Sequence, residues 1–155
     1  MTQEWIPVSI TEQAAAALHL CVPRSEVALV TGPAIEEVYA AVQAQGLIPA
    51  GPWFAHHRCI TPGLFDFDVC VPVNEPFQAS GRVFPTTRRA ARVLRTQHHG
   101  DYSGLPAAWA AFRQQAERSG LPLAEDLWEI YLINPGTTPN SSAWITELHI
   151  PLLEN

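Results

Sequence analysis

The chain repeats itself, and no single motif constrains its fold as tightly. Residues 27–33 (VALVTGP), 34–45 (AIEEVYAAVQAQ), 46–52 (GLIPAGP), 53–57 (WFAHH) and 65–73 (FDFDVCVPV) form a series. It is matched in order by residues 91–100 (ARVLRTQHHG), 105–119 (LPAAWAAFRQQAERS), 120–123 (GLPL), 128–132 (WEIYL) and 143–152 (AWITELHIPL). The length differences fall in the connections. With 155 residues, 47% of them hydrophobic, the chain has material for one shared core, so the two units are expected to close on each other as a single domain over 1–155.

Each unit reads as strand, helix, strand, strand. Ile35, Val38, Tyr39 and Val42 recur at the spacing that puts apolar groups on one helical face, and Gly46 follows as a stop. Leu105, Ala108, Trp109 and Phe112 repeat the design before Gly120, with Pro106 tolerated in the first turn. Phe65, Phe67, Val69, Val71 and Val73 alternate with Asp66, Asp68 and Cys70, as in a strand with one buried side. Further strands are expected around 18–22 and 77–84. The expected class is therefore α+β: two strand-helix-strand-strand (SHS2) repeats, about 18–73 and 77–153, related by a pseudo-twofold axis. They would form an antiparallel curved sheet with two main helices. The natural concavity lies on the axis, and the turn-rich loop 134–142 (NPGTTPNSS) is of a kind that rims binding sites.

Aligning Trp53 with Trp128 places Phe54 against Glu129 and breaks the symmetry with one carboxylate. Alternation puts Glu129 and Tyr131 on one face, and Phe54 and His56 on the matching face of the other unit. If that face looks into the concavity, Glu129 lies among Phe54, His56, Tyr131, Tyr39, Tyr102 and Trp109. Aromatic walls around a carboxylate suit a bulky cation or a planar electrophile. Alternation by itself also allows Glu129 to face solvent; the large apolar groups Trp128, Ile130 and Leu132 behind it favour enclosure. A desolvated carboxylate has a raised pKa and can serve as a base near neutral pH.

Other chemistries lack their residues. Nine basic residues, all arginine, stand against fifteen acidic ones, a balance unsuited to non-specific nucleic-acid binding. Arg82, Arg88, Arg89, Arg92 and Arg95 read as a solvated strand face paired with acids, and Asp68 and Glu147 as surface groups at matching strand positions. His56, His57, His98, His99 and Cys59 lack metal-ligand spacing, and adjacent strand histidines point to opposite faces, so neither metal nor cofactor is expected. Ser103, Ser141 and Ser142 have no base-and-orienter arrangement, and no phosphate loop occurs. The start MTQEWIPVSI has no secretory pattern, no stretch is long enough for a membrane span, and Cys21, Cys59 and Cys70 form an odd set. A cytoplasmic protein is expected.

Gly100-Asp101-Tyr102, the helix carrying Trp109, WEIYL followed by Asn134-Pro135, and residues 146–152 (TELHIPL) resemble the GyrI-like small-molecule-binding family, which also supplies the effector-binding domain of BmrR-type multidrug regulators. The ending at 69–73 is similar to that family's first repeat. The likeness runs from about residue 18 onward. It implies a stand-alone pocket for amphipathic, cationic or electrophilic ligands, with Glu129 at the motif position of the regulators' ligand-facing glutamate. It also implies an alternative, hydrolysis of cyclopropane-type electrophiles with Glu129 as general base and Tyr131 orienting the substrate or donating a proton. A second alternative is a gyrase-inhibitory module whose partner is a protein. No helix-turn-helix segment is present, so direct contact with DNA is not expected.

Overall fold

Among the described residues, eight strands pair in one antiparallel sheet that two helices cover on one side. In the computed structural model, which describes residues 6–61 and 63–153 and, at 59–61, the backbone alone, the strands are β1 (Val8–Ile10), β2 (Gln13–Pro23), β3 (Phe54–Thr61), β4 (Leu64–Pro72), β5 (Phe84–Arg88), β6 (Ala91–His99), β7 (Leu127–Ile133) and β8 (Ile145–Pro151). The helices are α1 (Val27–Ala44) and α2 (Leu105–Arg118). The strand order is β1-β6-β8-β7-β3-β4-β2-β5, which makes β3 and β7 the central neighbours. Each edge strand pairs outside its own stretch of sequence. β1 joins β6, and β5 joins β2, so the first residues of the fold are tied to the second half. The class is α+β, as expected.

Two elements depart from the sequence reading. Residues 27–33 are not a strand but the first turns of α1, with Pro33 inside the helix. Proline there removes one backbone donor. The helix persists because Val27, Val30, Ala34, Ile35 and Val38 form one apolar stripe on the core formed with β2 and β4. The strand expected at 77–84 begins only at Phe84; before it lies a turn closed by the Ser80–Val83 bridge. Both helices stop where expected, at Gly46 and Gly120, whose positive φ of 72° and 77° accommodates the left-handed turn.

Alternation sorts the core into layers. On the helix side, Leu18, Leu20, Trp53, Ala55, Phe67, Val69, Val71 and Tyr131 pack with Ala34, Val38 and Val42 of α1. Leu94, Leu148 and Ile150 pack with Phe112 and Ala116 of α2. The reverse side is apolar as well: Ala15, Ala17, Phe54, Cys70, Val93, Trp128 and Ile130 are buried together. Two arginines cover this second core. The Arg88 guanidinium lies 5.7 Å from the Phe54 ring centre, and that of Arg89 lies 4.8 Å from Trp128. The arginine run is therefore not simply a solvated face, although Arg82 does pair with Glu37 at the surface.

Carboxylates on the reverse side are also more enclosed than expected. Asp68, expected at the surface, is 3% exposed and accepts from Arg58 Nη2 at 2.8 Å and His19 Nδ1 at 2.7 Å. Its matching residue Glu147 is partly buried and pairs with His149 at 2.7 Å. Asp126 takes a two-pronged contact from Arg89 at 2.7 and 3.2 Å and a third from His56 at 2.8 Å, fastening the β5–β6 turn to the sheet centre. Burial pushes the Asp126 carboxyl up, but His56 and Arg89 outweigh burial and hold it below the usual carboxylate range.

A depressed folded-state pKa stabilises the protein above the unfolded value of about 3.9 and loses that contribution as pH falls toward the folded value. In urea denaturation, Asp126→Asn should cost about 1–3 kcal/mol at neutral pH. The gap between variant and wild type should close below about pH 4.

Candidate functional site

The pairing of β3 with β7 fixes what faces the helices at the sheet centre. Ala55 stands opposite Glu129 and His57 opposite Leu127, so Trp53, Ala55 and His57 share one side with Leu127, Glu129 and Tyr131. Above them, α1 and α2 stand apart and leave a cavity of about 1460 Å³. That exceeds the roughly 300–1,000 Å³ of an ordinary ligand pocket and leaves room for several rings. Val27, Thr31, Ile35 and Tyr39 line it from α1, and Leu105, Trp109 and Arg113 from α2. Residues 134–137 of the turn-rich loop rim it. Asn134 shapes that rim, donating from Nδ2 to the Tyr131 carbonyl at 2.9 Å and accepting from the Gly136 N–H at 2.9 Å.

Aromatic rings pack around the carboxylate. Trp53 stacks on Tyr131 with centroids 3.8 Å apart, Tyr102 meets Tyr131 edge-on at 5.7 Å, and Trp144 backs Tyr102 at 4.9 Å. Glu129 is 7% exposed, and His57 Nε2–H donates to its Oε1 at 2.9 Å. Burial, then the nearby Glu129 charge, then Tyr102 and a hydrogen bond to Glu129 push the Tyr131 phenol well up. Burial and Glu129 push Tyr102 up to about 12, and burial raises Tyr39. The phenols are therefore donors at neutral pH.

Of the residues singled out from sequence, Glu129, Tyr131, Tyr39, Tyr102 and Trp109 line this cavity. Phe54 and His56 do not, which corrects their placement on the ligand-facing side. Phe54 lies in the reverse core under Arg88, and His56 binds Asp126 beside Trp128. The cause is a slip of one residue, which turns every side chain of a strand to the other face. Trp53 and Trp128, which align in the sequence, point to opposite sides of the sheet. Leu132, expected behind Glu129, is 37% exposed at the cavity because β7 is irregular after Tyr131. His57 and Trp53 are the residues the sequence reading missed. A usable signal existed: Ala55 and Glu129 each stand nine residues beyond the helix-stopping glycines Gly46 and Gly120. Among the described residues no cluster suited to a metal ion occurs, and the Cys59 side chain lies outside them. No helix there is long and apolar enough to cross a membrane.

The comparisons agree with this architecture. The model of the GyrI-like small molecule binding domain matches residues 10–153. Among curated proteins, none matches. The C-terminal domain of EcmrR superposes with a TM-score of 0.85 at 21% identity, covering 100% of both chains. EcmrR in its complex with DNA gives 0.85 at 20% identity, with 98% of this chain covering 58% of that one, so the chain spans little more than half of that protein. SAV2435 bound to tetraphenylphosphonium gives 0.70 at 11% identity, covering 97% of this chain and 94% of that one. A hydrolase encoded by lin2189 from Listeria innocua gives 0.60 at 14% identity, covering 97% and 93%. At these identities the likenesses establish a shared fold.

All three tyrosines of the chain border the cavity, so phenol ionisation reads the site directly. Followed by phenolate absorbance, none should titrate at the exposed value of about 10. Tyr102 should have its midpoint near 12, and Tyr131 should ionise only with unfolding.

Proposed function

The chain belongs to the GyrI-like small-molecule-binding family, and from that premise we propose that its cavity binds amphipathic cations with several aromatic rings. The observation that carries this reading is Glu129, a carboxylate 7% exposed on the floor of a large cavity walled by Trp53, Tyr131, Tyr102, Tyr39 and Trp109. Ring faces attract a delocalised cation, and a carboxylate of low exposure interacts with it more strongly than one in water would. The low helical content of the floor also matters: the carboxylate is held by paired strands, which position a side chain more firmly than a loop. The tetraphenylphosphonium bound to SAV2435 is a ligand of this class.

A second reading is favoured by Tyr131, a protonated phenol beside the same carboxylate. In it, Glu129 takes a proton from a water that attacks a strained electrophilic carbon, the ring bond breaks, and Tyr131 donates a proton to the leaving atom. The two readings share the cavity and differ in whether the ligand leaves changed.

Tryptophan fluorescence tests the first reading, since Trp53 and Trp109 report on the cavity. Tetraphenylphosphonium should bind wild type roughly ten- to a hundredfold more tightly than Glu129→Gln. Equal affinities would remove the charge pairing on which the reading rests. Incubation with a panel of reactive cyclopropanes, analysed by mass for the water adduct, decides the second reading: turnover no faster than that of Glu129→Ala rejects it.

A further inference from the structure

Glu129 does not meet the cavity as a bare carboxylate. His57 and Glu129 are diagonal neighbours across the β3–β7 pair, with Nε2 to Oε1 at 2.9 Å and side chains 13% and 9% exposed. The small Ala55 lies directly opposite Glu129, leaving the space that the imidazole occupies. The His57 ring is clamped there, parallel to Phe67 at 4.9 Å and edge-on to Phe65 at 5.9 Å. It cannot swing away from Glu129 without losing both contacts. The pair has two charge states. An imidazolium makes it neutral overall; an imidazole still donates through Nε2–H and leaves it with one negative charge.

We propose that His57 is the charge-selectivity residue of this cavity: a protonated His57 is the resident counter-ion of Glu129, and binding of a cationic ligand is coupled to loss of that proton. This rests on the reading of the cavity as a cation site. The surrounding groups make the proton decisive. The other charged side chains lining the cavity are Arg24 beside α1, Glu36 of α1 and Arg113 of α2. The tyrosines Tyr39, Tyr102 and Tyr131 stay neutral, and Phe65, Phe67 and Leu127 bring no charge. Arg113 is paired at 3.6 Å with Glu117 of its own helix, and Arg24 and Glu36 are exposed, so His57 is the charged partner in direct contact with Glu129. With His57 protonated the charge of Glu129 is already met by its neighbour; without the proton that negative charge is open to a bound cation. A neutral ligand of the same shape has no such preference.

The test is a titration of wild type and His57→Gln with tetraphenylphosphonium, and with neutral triphenylphosphine oxide, between about pH 5 and 8. Wild-type affinity for the cation should rise about tenfold per pH unit while His57 is protonated and then level off. Affinity for the neutral compound should stay flat. In His57→Gln the cation affinity should be flat as well, and at the acid end it should exceed that of wild type. Calorimetry of wild type in two buffers of different ionisation enthalpy should find proton release approaching one per cation at the acid end, a measurement that needs no variant to fold. A wild-type pH profile shared by His57→Gln, or binding without proton release, overturns the role of His57 while leaving the cation reading standing. Failure of tetraphenylphosphonium to bind wild type at any of these pH values overturns both.

Discussion

The register of β3 against β7 is the constraint on which the rest of the molecule depends. Among the described residues the two halves of the sheet meet at its centre through these strands, and their pairing sets Ala55 beside Glu129. Shifted by one residue, the same sequences would send Glu129 and Tyr131 into the reverse core and Trp128 toward the helices. Both sides of these strands are buried, so the register is held by two cores at once. Trp128 and Ile130 are fixed among Phe54 and Cys70 on one side, while Tyr131 is fixed against Trp53 on the other. The geometry of the carboxylate is thus a by-product of packing on the side it does not face.

That reverse core explains the use of arginine. The chain contains no lysine, and Arg88 and Arg89 lay flat guanidinium groups over Phe54 and Trp128. A planar cation can cover a ring while its edge still forms two hydrogen bonds to one carboxylate, as Arg89 does with Asp126. An ammonium offers no such plane. The acidic excess of the chain is likewise not all surface: Asp68, Asp126 and Glu129 are each matched to a histidine, and the first two to an arginine as well.

Much of this was legible in the sequence. The patterning of apolar residues foretold two helices on one antiparallel sheet, and the glycines at 46 and 120 marked the helix ends. Periodicity identified Tyr39 and Trp109, and the WEIYL segment identified Glu129 and Tyr131, as residues that come to border one cavity. What failed was the strand phase at Phe54 and His56. A tryptophan match is visually strong, yet both faces of these strands are apolar, so hydrophobicity carried no information about which way each residue points. His57 was hidden for the same reason, and its bond to Glu129 depends on a diagonal contact between strands far apart in sequence. The first turns of α1 were misread because Pro33 and the branched residues before it favour other conformations locally, and tertiary burial of Val27 and Val30 overrides them.

The two helices rest on different foundations, α1 on β2 and β4, and α2 on β6 and β8. The cavity between them is therefore a gap between two bodies whose common support is the seam beneath it. Glu129 and His57 stand on that seam, beneath the gap. Their 2.9 Å contact is set across paired strands and not by either helix, so the floor of the cavity and its two walls are built by separate parts of the chain.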